Sequence, residues 1–530
     1  MAGVRLHARF SSFEDLDSFR KISTFKVMNK EVFEGIKSTS TFQQQLHLRK
    51  KEAERSILIE LYNKSHVPHA ASTCEQFGEV KNLYTYRGES ENVFLLLEFE
   101  QEDSLKRLLS QCHYENISDS FTVHSRTVRF ENLLHKSAPK LNIKANEEGA
   151  NRVLSKVKTV SELIEDLYKT EKISELDTRR RYFFCSLVKD SLSGIFPYCD
   201  VLPFGSSVNG IGRKGCDLDI MIRLYPLQNN EDSEFCFVSK ICIGNVQELQ
   251  KRSLNILGDF FRTFLPGFSS VKKILHARVP IVKVTHRLLE IECDISVNNM
   301  SAILMSEMLY FCGEIDLRVR PLLYAVKKWA KEACVTYDSP GSWITNFGLS
   351  LLVVFFLQNR PVPILPSLND AVNINGAECM PNFHLEYLTP LSELQANASL
   401  NTETLAELLN EFLSFIGSCP FNNKHYSILS GKATDKNSGS PMWVQYPLEE
   451  DKNVTKNISQ KEMMDMCDKA LLSSSCLAGN MQLQRTSSDL SSIIGIQNIK
   501  NSFSPKNTNL KSVISKEMQK NISRMNRRAS

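Results

Sequence analysis

Two aspartates separated by one residue mark the part of the sequence best suited to chemistry. Asp217 and Asp219 lie in residues 215–220 (GCDLDI). Side chains at positions i and i+2 of a strand share a face, so the two carboxylates would stand about 7 Å apart. Like charges repel at this spacing unless a cation lies between them, and hard oxygen ligands favour Mg²⁺ or Mn²⁺. A solvated strand edge is the alternative, but the apolar residues 220–222 predict a buried strand, where unpaired carboxylates are costly.

A third carboxylate is needed for a two-ion site that activates a hydroxyl and stabilises a leaving pyrophosphate. Asp294 lies in another predicted strand, where Ile291, Cys293 and Ile295 alternate with polar residues. The alternation places Asp294 on the polar face, and Glu292 shares that face. Spacing alone leaves both candidates open.

A turn at Gly205 and Ser206 precedes the paired aspartates. Such a turn lets the backbone approach a phosphate closely and offers N–H and hydroxyl donors to it. A second glycine-rich run, residues 210–215, matches the G-x-G-x-x-G pattern. It comes before a predicted strand instead of after one, so a dinucleotide-binding fold is excluded.

A pair of lysines further along the chain is suited to a triphosphate. Lys327 and Lys331 stand at positions i and i+4 of a predicted helix and therefore share one face. A solvated helix face is the alternative interpretation of this pair.

The elements that must position these residues follow from hydrophobic periodicity. Strands are predicted at 201–204, 217–224, 274–283 and 288–296, and a helix at 245–264. Helical patterns precede and follow this region. Residues 52–135 predict the order βαββαβ, which is that of the RNA-recognition fold.

The combined motifs resemble the polymerase-β-like nucleotidyltransferases. Within them, the chain is similar to the poly(A) and poly(U) polymerases that carry a PAP-associated segment, above all the mitochondrial poly(A) polymerases. The resemblance covers about residues 52–460 and rests on residues 203–219 (PFGSSVNGIGRKGCDLD), Asp294, the basic helix and residues 340–347 (PGSWITNF). It implies an α+β fold with a nucleotidyltransferase palm, a helical central domain and an N-terminal RNA-recognition-like domain.

The resemblance also implies roles for individual residues. Asp217, Asp219 and Asp294 match the catalytic, metal-binding acids. The matching nucleotide-binding positions are Gly205 and Ser206 (triphosphate turn), Asn298 (sugar), Lys327 and Lys331 (triphosphate) and Phe347 (stacking on the base).

The chain departs from the family pattern at two places, one that affects the choice of nucleotide base and one that affects what the N-terminal domain binds. Uridine-selective relatives carry a His where Lys452 stands, which favours ATP as substrate. The N-terminal domain has few aromatic residues for stacking on RNA. An exposed sheet face bearing Phe94, Leu96 and Phe99 would be an apolar patch, so we expect a homodimer that forms through this domain.

Composition predicts the state of the cysteines, the relation of the chain to membranes and its location in the cell. The 530 residues carry a net charge of +4, and the 14 cysteines include no C-x-x-C pair, so reduced thiols are expected instead of zinc or disulfides. No apolar run approaches the ~20 residues of a membrane span, and no membrane partner is predicted. Basic residues without acids in 1–12 fit a mitochondrial targeting segment and a location in the matrix.

The predicted organisation is a targeting segment and polar leader (1–50), the RNA-recognition-like domain (52–135), a linker (136–150), helices (151–199), the palm (200–300), a helical central domain (301–465) and a disordered basic tail (466–530). The predicted function is template-independent addition of AMP from ATP to RNA 3′ ends. A terminal uridylyltransferase of the same fold and an inactive RNA-binding scaffold are the alternatives.

Overall fold

The computed structural model describes residues 41–88, 92–113, 125–131, 146–147, 159–196, 198–224, 245–339, 341–373, 385–436, 438–482 and 489–502. The predicted targeting segment, the linker apart from residues 146–147, and the part of the tail after residue 502 lie outside these ranges. None of the helices in the described ranges is both long and apolar enough to cross a membrane.

Three helices and a five-stranded sheet form the N-terminal domain in the described residues. Its elements are α1 (Thr41–Glu54), β1 (Ser56–Leu61), α2 (Val67–Glu75), β2 (Val80–Arg87), β3 (Val93–Phe99), α3 (Glu102–Leu109), β4 (Thr127–Arg129) and β5 (Asn146–Glu147). The strand order is β4-β1-β3-β2-β5, with β3 antiparallel to both neighbours and β4 parallel to β1. The βαββαβ order therefore runs from β1 to β4. The leader predicted to be polar and irregular is helical from Thr41 onward.

Both faces of this sheet are covered. On one face, Leu95, Leu97 and Phe99 pack with residues of α2 and α3. On the other, Phe94 and Leu96 join the core of the following domain. All five side chains are at most 3% exposed.

The prediction of an exposed apolar face with Phe94, Leu96 and Phe99 is therefore wrong in two respects. Phe99 points to the opposite face, because strand side chains alternate. Phe94 and Leu96 are buried against the same chain instead of a second copy. An apolar strand face shows that something covers it but does not show what does.

Helices and a second five-stranded sheet make up the palm region. The elements are α4 (Val160–Glu171), α5 (Glu175–Ser193), β6 (Cys199–Phe204), β7 (Leu218–Leu224), α6 (Val246–Phe264), β8 (Phe268–Ile274), β9 (Ile281–His286) and β10 (Ile291–Val297). The order is β6-β7-β10-β9-β8, with β7 and β10 parallel at the centre. The strand predicted at 274–283 is wrong, because those residues hold the turn of the β8–β9 hairpin.

The helical domain surrounds the largest apolar core. It contains α7 (Met300–Ile315), α8 (Val319–Glu332), α9 (Asn346–Gln358), α10 (Leu368–Ala371), β11 (Val372–Asn373), β12 (Glu386–Tyr387), α11 (Leu391–Ala398), α12 (Leu405–Ser418), β13 (Lys424–Ser427), β14 (Lys432–Asp435), β15 (Trp443–Tyr446), β16 (Glu449–Asn453), α13 (Gln460–Gln482), α14 (Leu490–Ile493) and α15 (Ile496–Ser502). Helix α4, although it precedes the palm strands, packs on α8 and α12. The palm sheet is thus inserted between helices that share one core.

In the tail predicted to be disordered from residue 466, the described residues 466–482 and 489–502 are largely helical. Helix α13 reaches Gln482, and its Met466, Ala470 and Leu477 are buried in the helical core, as are Leu490 and Ile493 of α14. The Ser- and Asn-rich composition concealed these apolar positions, which lie on one face of a helix.

Candidate active site

Strand register brings the predicted acids together. Asp219 in β7 is the register partner of Asp294 in β10 and of Phe204 at the end of β6. Asp294 is in turn the partner of Lys283 in β9. The flanking residues Leu218 and Cys293 point into the core and are fully buried. Asp219, Asp294 and Lys283 therefore occupy one row across three neighbouring strands.

Lys283 is the cation at the centre of this row. Its Nζ lies 3.0 Å from Asp217 Oδ2, 3.5 Å from Glu292 Oε2 and 3.6 Å from Asp294 Oδ1. This lysine is not among the residues predicted from the sequence, although its place between the buried Val282 and Val284 puts it on the polar face of β9. A charge that belongs to a distant strand can be assigned to a site only when the register is known.

Burial and mutual repulsion act on the carboxylates. Burial of Asp219, followed by the charges of Asp294 and Asp217, raises its pKa to about 7. Burial also raises the pKa of Asp294, with Lys283 acting in the opposite direction. Burial lowers the pKa of Lys283, but its hydrogen bond to Asp217 and the charges of Asp294 and Asp217 outweigh that effect and raise it. The cluster holds more negative charge than its own cation balances.

The donor set fits a divalent cation. Asp294 Oδ1 is buried and has no hydrogen-bond partner among the described residues, and carboxylate oxygens are ligands that Mg²⁺ and Mn²⁺ prefer. As placed, the acids do not close into a ready coordination shell: among the described residues, no three acid, thiol or imidazole groups form one. The Lys283 ammonium lies among the carboxylates where an ion would bind, so binding requires local rearrangement.

The geometry favours Asp294 over Glu292 as the third acid. Asp294 is the register partner of Asp219, whereas Glu292, two residues earlier in β10, is paired with Thr285 of β9. The side chain of Asp294 is 27% exposed and that of Glu292 is 58% exposed.

The turn after β6 comes close to the acids. Gly205 has a φ of +67°, and a Cβ at this position would lie 3.0 Å from Asp219 Oδ2, so a side chain would be both strained and crowded. The Gly205 N–H donates to Ser306 Oγ of α7 at 2.7 Å. The donors of this turn that remain for a phosphate are therefore those of Ser206 and Ser207, whereas the sequence suggested Gly205 and Ser206.

A second residue that the sequence analysis missed is Arg181 of α5, which is 6% exposed. Its guanidinium donates to Ser207 Oγ at 2.9 Å, to the Asp217 carbonyl oxygen at 3.1 Å and to the Cys216 carbonyl oxygen. Arg181 thus joins the turn after β6 to the loop that carries the first acid.

The two predicted lysines of α8 have different surroundings. Burial lowers the pKa of Lys327, which also interacts electrostatically with Cys216 and Arg213 of the loop before β7. Lys331 Nζ lies 3.1 Å from Asp338 at the surface. The structure therefore places Lys327 beside the acid-bearing loop and Lys331 farther out on the same helix.

Asn298 follows directly after β10. Its φ is +50°, a conformation that Asn tolerates better than most residues. The Asn298 N–H donates to Ile222 O, and its Oδ1 accepts from the Leu224 N–H, both at 3.0 Å. Asn298 thus links the ends of the two acid-bearing strands.

Phe347 lies at the start of α9. Its ring meets that of Tyr446 edge-on, with centroids 6.4 Å apart. Tyr446 is the register partner of Glu449, whose carboxylate forms an ion pair with Lys452. Phe347, Tyr446 and the β15–β16 hairpin that carries Lys452 are therefore neighbours.

Comparison with known proteins identifies similar chains. A family model described as "Poly(A) RNA polymerase, mitochondrial-like, central palm domain" matches residues 160–314, from α4 to α7. The chain is similar to "Poly(A) RNA polymerase, mitochondrial" of Homo sapiens, with 33% identity over 445 residues that cover 81% of this chain and 76% of that protein.

Solved structures show the same relationship. The crystal structure of mtPAP in complex with ATPγS has a TM-score of 0.74 and 29% identity, and the match covers 86% of this chain and 99% of that chain. The structure of mtPAP in complex with UTP gives a TM-score of 0.74 at 28% identity, with the same coverage. The fold class predicted from the sequence is confirmed.

Proposed function

The chain belongs to the family of mitochondrial poly(A) RNA polymerases, and we propose from this that it adds AMP units from ATP to RNA 3′ ends without a template. The observation that carries the proposal is the row of Asp219 and Asp294 on neighbouring palm strands, with Asp217 and the glycine turn beside it. In the reaction, the RNA 3′-hydroxyl oxygen forms a bond to the α-phosphorus of ATP. The bond from the α-phosphorus to the oxygen that bridges it to the β-phosphorus breaks, pyrophosphate leaves, and the hydroxyl proton passes to solvent.

Asp217, Asp219 and Asp294 would hold the divalent cations, Mg²⁺ or Mn²⁺. When bound, two such ions supply activation of the attacking hydroxyl and charge neutralisation at the leaving pyrophosphate. The raised pKa of Asp219 supports these assignments. So does Asp294 Oδ1, which accepts no hydrogen bond from the described residues and lies 3.6 Å from the Lys283 ammonium. Both features indicate carboxylates whose negative charge is only partly balanced.

The nucleotide would be bound by groups around this centre. The turn that begins at Gly205 would donate hydrogen bonds to the triphosphate through Ser206 and Ser207, because the Gly205 N–H is engaged by Ser306. Lys327 and Lys331 would add positive charge there. Lys327 is the better placed of the two, because Lys331 already pairs with Asp338. Asn298 would contact the sugar through the part of its amide not engaged by Leu224.

Phe347 would stack on the base, an interaction that contributes about 1–3 kcal/mol. Lys452 lies in the hairpin next to this aromatic pair, where uridine-selective relatives carry a His. This placement supports ATP as the substrate. A terminal uridylyltransferase is the alternative within the same fold, since an aromatic ring stacks on either base.

An inactive RNA-binding scaffold is the alternative from another class. A scaffold gains nothing from carboxylates held close together at the end of a buried strand, where their charge is costly. Transfer of any nucleotide by the purified chain would exclude it.

The decisive experiment incubates the purified protein with Mg²⁺, a short 5′-labelled RNA and each of the four NTPs in turn. We expect extension with ATP and much less with UTP. Extension with UTP in preference to ATP would support the uridylyltransferase, and no extension with any NTP under either Mg²⁺ or Mn²⁺ would contradict the proposed activity.

The relatives' names place them in mitochondria, and we infer the same compartment for this chain, with the matrix as the finer location. Import of the labelled chain into isolated mitochondria, followed by protease treatment of mitoplasts, tests both. A variant lacking residues 2–12 should not be imported if that segment is the targeting signal.

A homodimer through the N-terminal domain stays a prediction. It cannot use Phe94 and Leu96, which are buried within the chain, so another surface of the domain would have to form the contact. Sedimentation of the wild-type protein at micromolar concentration distinguishes monomer from dimer.

A further inference from the structure

Three consecutive arginines of α5 connect the N-terminal domain to the candidate active site. Arg179 donates to Glu98 Oε2 at 2.6 Å and lies over the ring of Tyr84. Arg180 lies over the ring of Tyr86, with 4.7 Å from Cζ to the centroid. Arg181, the next residue, reaches the acid-bearing loop.

The environment of Arg181 is unusual for a buried cation. All its hydrogen-bonding oxygens are uncharged: the Ser207 hydroxyl and the carbonyls of Cys216 and Asp217. No carboxylate within the described ranges forms an ion pair with it. Burying such a charge is costly, and the hydrogen bonds to these three oxygens offset part of that cost.

The two segments that Arg181 joins have separate tasks in the proposed reaction. The Gly205–Ser207 turn faces the triphosphate, and the loop ending at Asp217 presents the first acid. Only the planar guanidinium offers several donors in a fixed geometry that can hold both at once. A lysine would keep the charge but lose this geometry.

We propose, building on the proposed function, that Arg181 is a positioning residue that sets Asp217 relative to the triphosphate-binding turn. It does not touch the reacting atoms. Instead it determines where the metal-binding carboxylate stands when nucleotide enters. Its position is itself fixed, because Arg179 and Arg180 anchor the same helix turn on Tyr84 and Tyr86 of the N-terminal sheet.

The test compares Arg181→Lys with Arg318→Lys. Arg318 is the control, since its guanidinium also donates to backbone carbonyls, those of Asn401 and Glu403, far along the chain in the helical domain. Unlike Arg181, it also forms an ion pair with Asp316. Each variant is measured for kcat and KM with ATP and RNA, for melting temperature, and for calorimetric binding of ATP without RNA over a range of Mg²⁺ concentrations.

Arg181→Lys should lower kcat by on the order of 10- to 100-fold, the effect of displacing a catalytic group by about an ångström. It should also raise the Mg²⁺ concentration needed for ATP binding, whereas Arg318→Lys changes neither and loses at least as much thermal stability. The proposal would be overturned if Arg181→Lys and Arg318→Lys had the same kcat, the same KM and the same Mg²⁺ dependence of ATP binding.

A second variant guards against misfolding. Ser207→Ala removes one acceptor of the Arg181 guanidinium. It should lower kcat and raise the Mg²⁺ concentration needed for ATP binding, each by less than Arg181→Lys does. In the double variant the two effects should not add fully, because both substitutions disturb the same contact. Full additivity, or a wild-type Mg²⁺ dependence in Ser207→Ala, would contradict the proposal. If the wild type extends no RNA, the proposed function fails, but ATP binding still tests Arg181.

Discussion

At the scale of single residues, burial and two neighbouring carboxylates disfavour the negative charge of Asp219. Its carboxylate is buried beside two others, and its pKa is raised to about 7. Asp219→Asn should abolish RNA extension, because a metal ligand is lost. The melting temperature without Mg²⁺ should hold or rise, since the amide removes a charge that burial and repulsion disfavour.

A primer-extension assay and differential scanning calorimetry measure these two effects of Asp219→Asn. Extension at a near wild-type rate would exclude Asp219 from the metal site. A large fall in the melting temperature would mean that the carboxylate serves the fold instead.

The choice of third acid is a second prediction at this scale. Asp294→Asn should abolish extension, because Asp294 is the register partner of Asp219. Glu292→Gln should leave extension within several-fold of the wild type, because its exposed side chain lies two residues before Asp294 in β10. Both variants lose one charge near Lys283, so each controls for the general electrostatic effect. If Glu292→Gln were inactive and Asp294→Asn were active, Glu292 and not Asp294 would be the third metal-binding acid.

Base selection provides a third prediction. Lys452→His should raise the use of UTP relative to ATP, because the hairpin that carries it adjoins Phe347 and Tyr446. The measurement is the ratio of kcat/KM for the two nucleotides on the same RNA. Lys432→His, on the exposed strand β14, is the control and should leave the ratio unchanged. An unchanged ratio in Lys452→His would show that this hairpin does not contact the base.

At the scale of elements, the palm hairpin β8–β9 is held by a buried imidazole. His286 lies against the rings of Phe184 and Phe268, and its Nδ1 accepts a hydrogen bond from the Leu289 N–H at 3.2 Å. Burial lowers the pKa of His286 to about 4 from the ordinary 6.5. The folded protein therefore keeps this side chain neutral where the unfolded chain already binds a proton.

This difference makes the free energy of unfolding depend on pH. The stability contributed by neutral His286 is fully present above about pH 6.5 and is lost as the pH falls towards 4. The loss in the free energy of unfolding reaches up to about 3 kcal/mol. His286→Asn keeps an acceptor for Leu289 but cannot titrate. Urea unfolding at pH 7.5 and 5 should show a smaller loss of stability for the variant, and equal losses would contradict the assignment.

At the scale of the whole molecule, the N-terminal sheet and the palm share one core. Leu96→Lys places a cation into the contact with α5, so the free energy of unfolding should fall by several kcal/mol and activity should fall with it. Tyr62→Lys is a control in the same domain, because Tyr62 is 64% exposed. Urea unfolding and sedimentation distinguish a loss of stability from a change of oligomeric state. A stable Leu96→Lys variant that becomes monomeric would restore the interface first expected from the sequence.

Much of the site was determined by the sequence alone, because its signals are local. The i, i+2 spacing of Asp217 and Asp219, the apolar strand that follows, and the glycine turn before them are short-range patterns, and strand geometry turns them directly into a shared face. The helix predicted at 245–264, which the structure shows as α6, and the βαββαβ order follow from local patterns for the same reason.

Tertiary structure alone decided which distant residues meet. The register of β7, β9 and β10 brings Lys283 into the acid cluster and separates Asp294 from Glu292. The docking of α5 brings Arg181 to Asp217 and buries Phe94 and Leu96. Register and docking are set by the packing of whole faces, which involves residues far apart in sequence, and hydrophobic periodicity shows only that a face is covered, not what covers it.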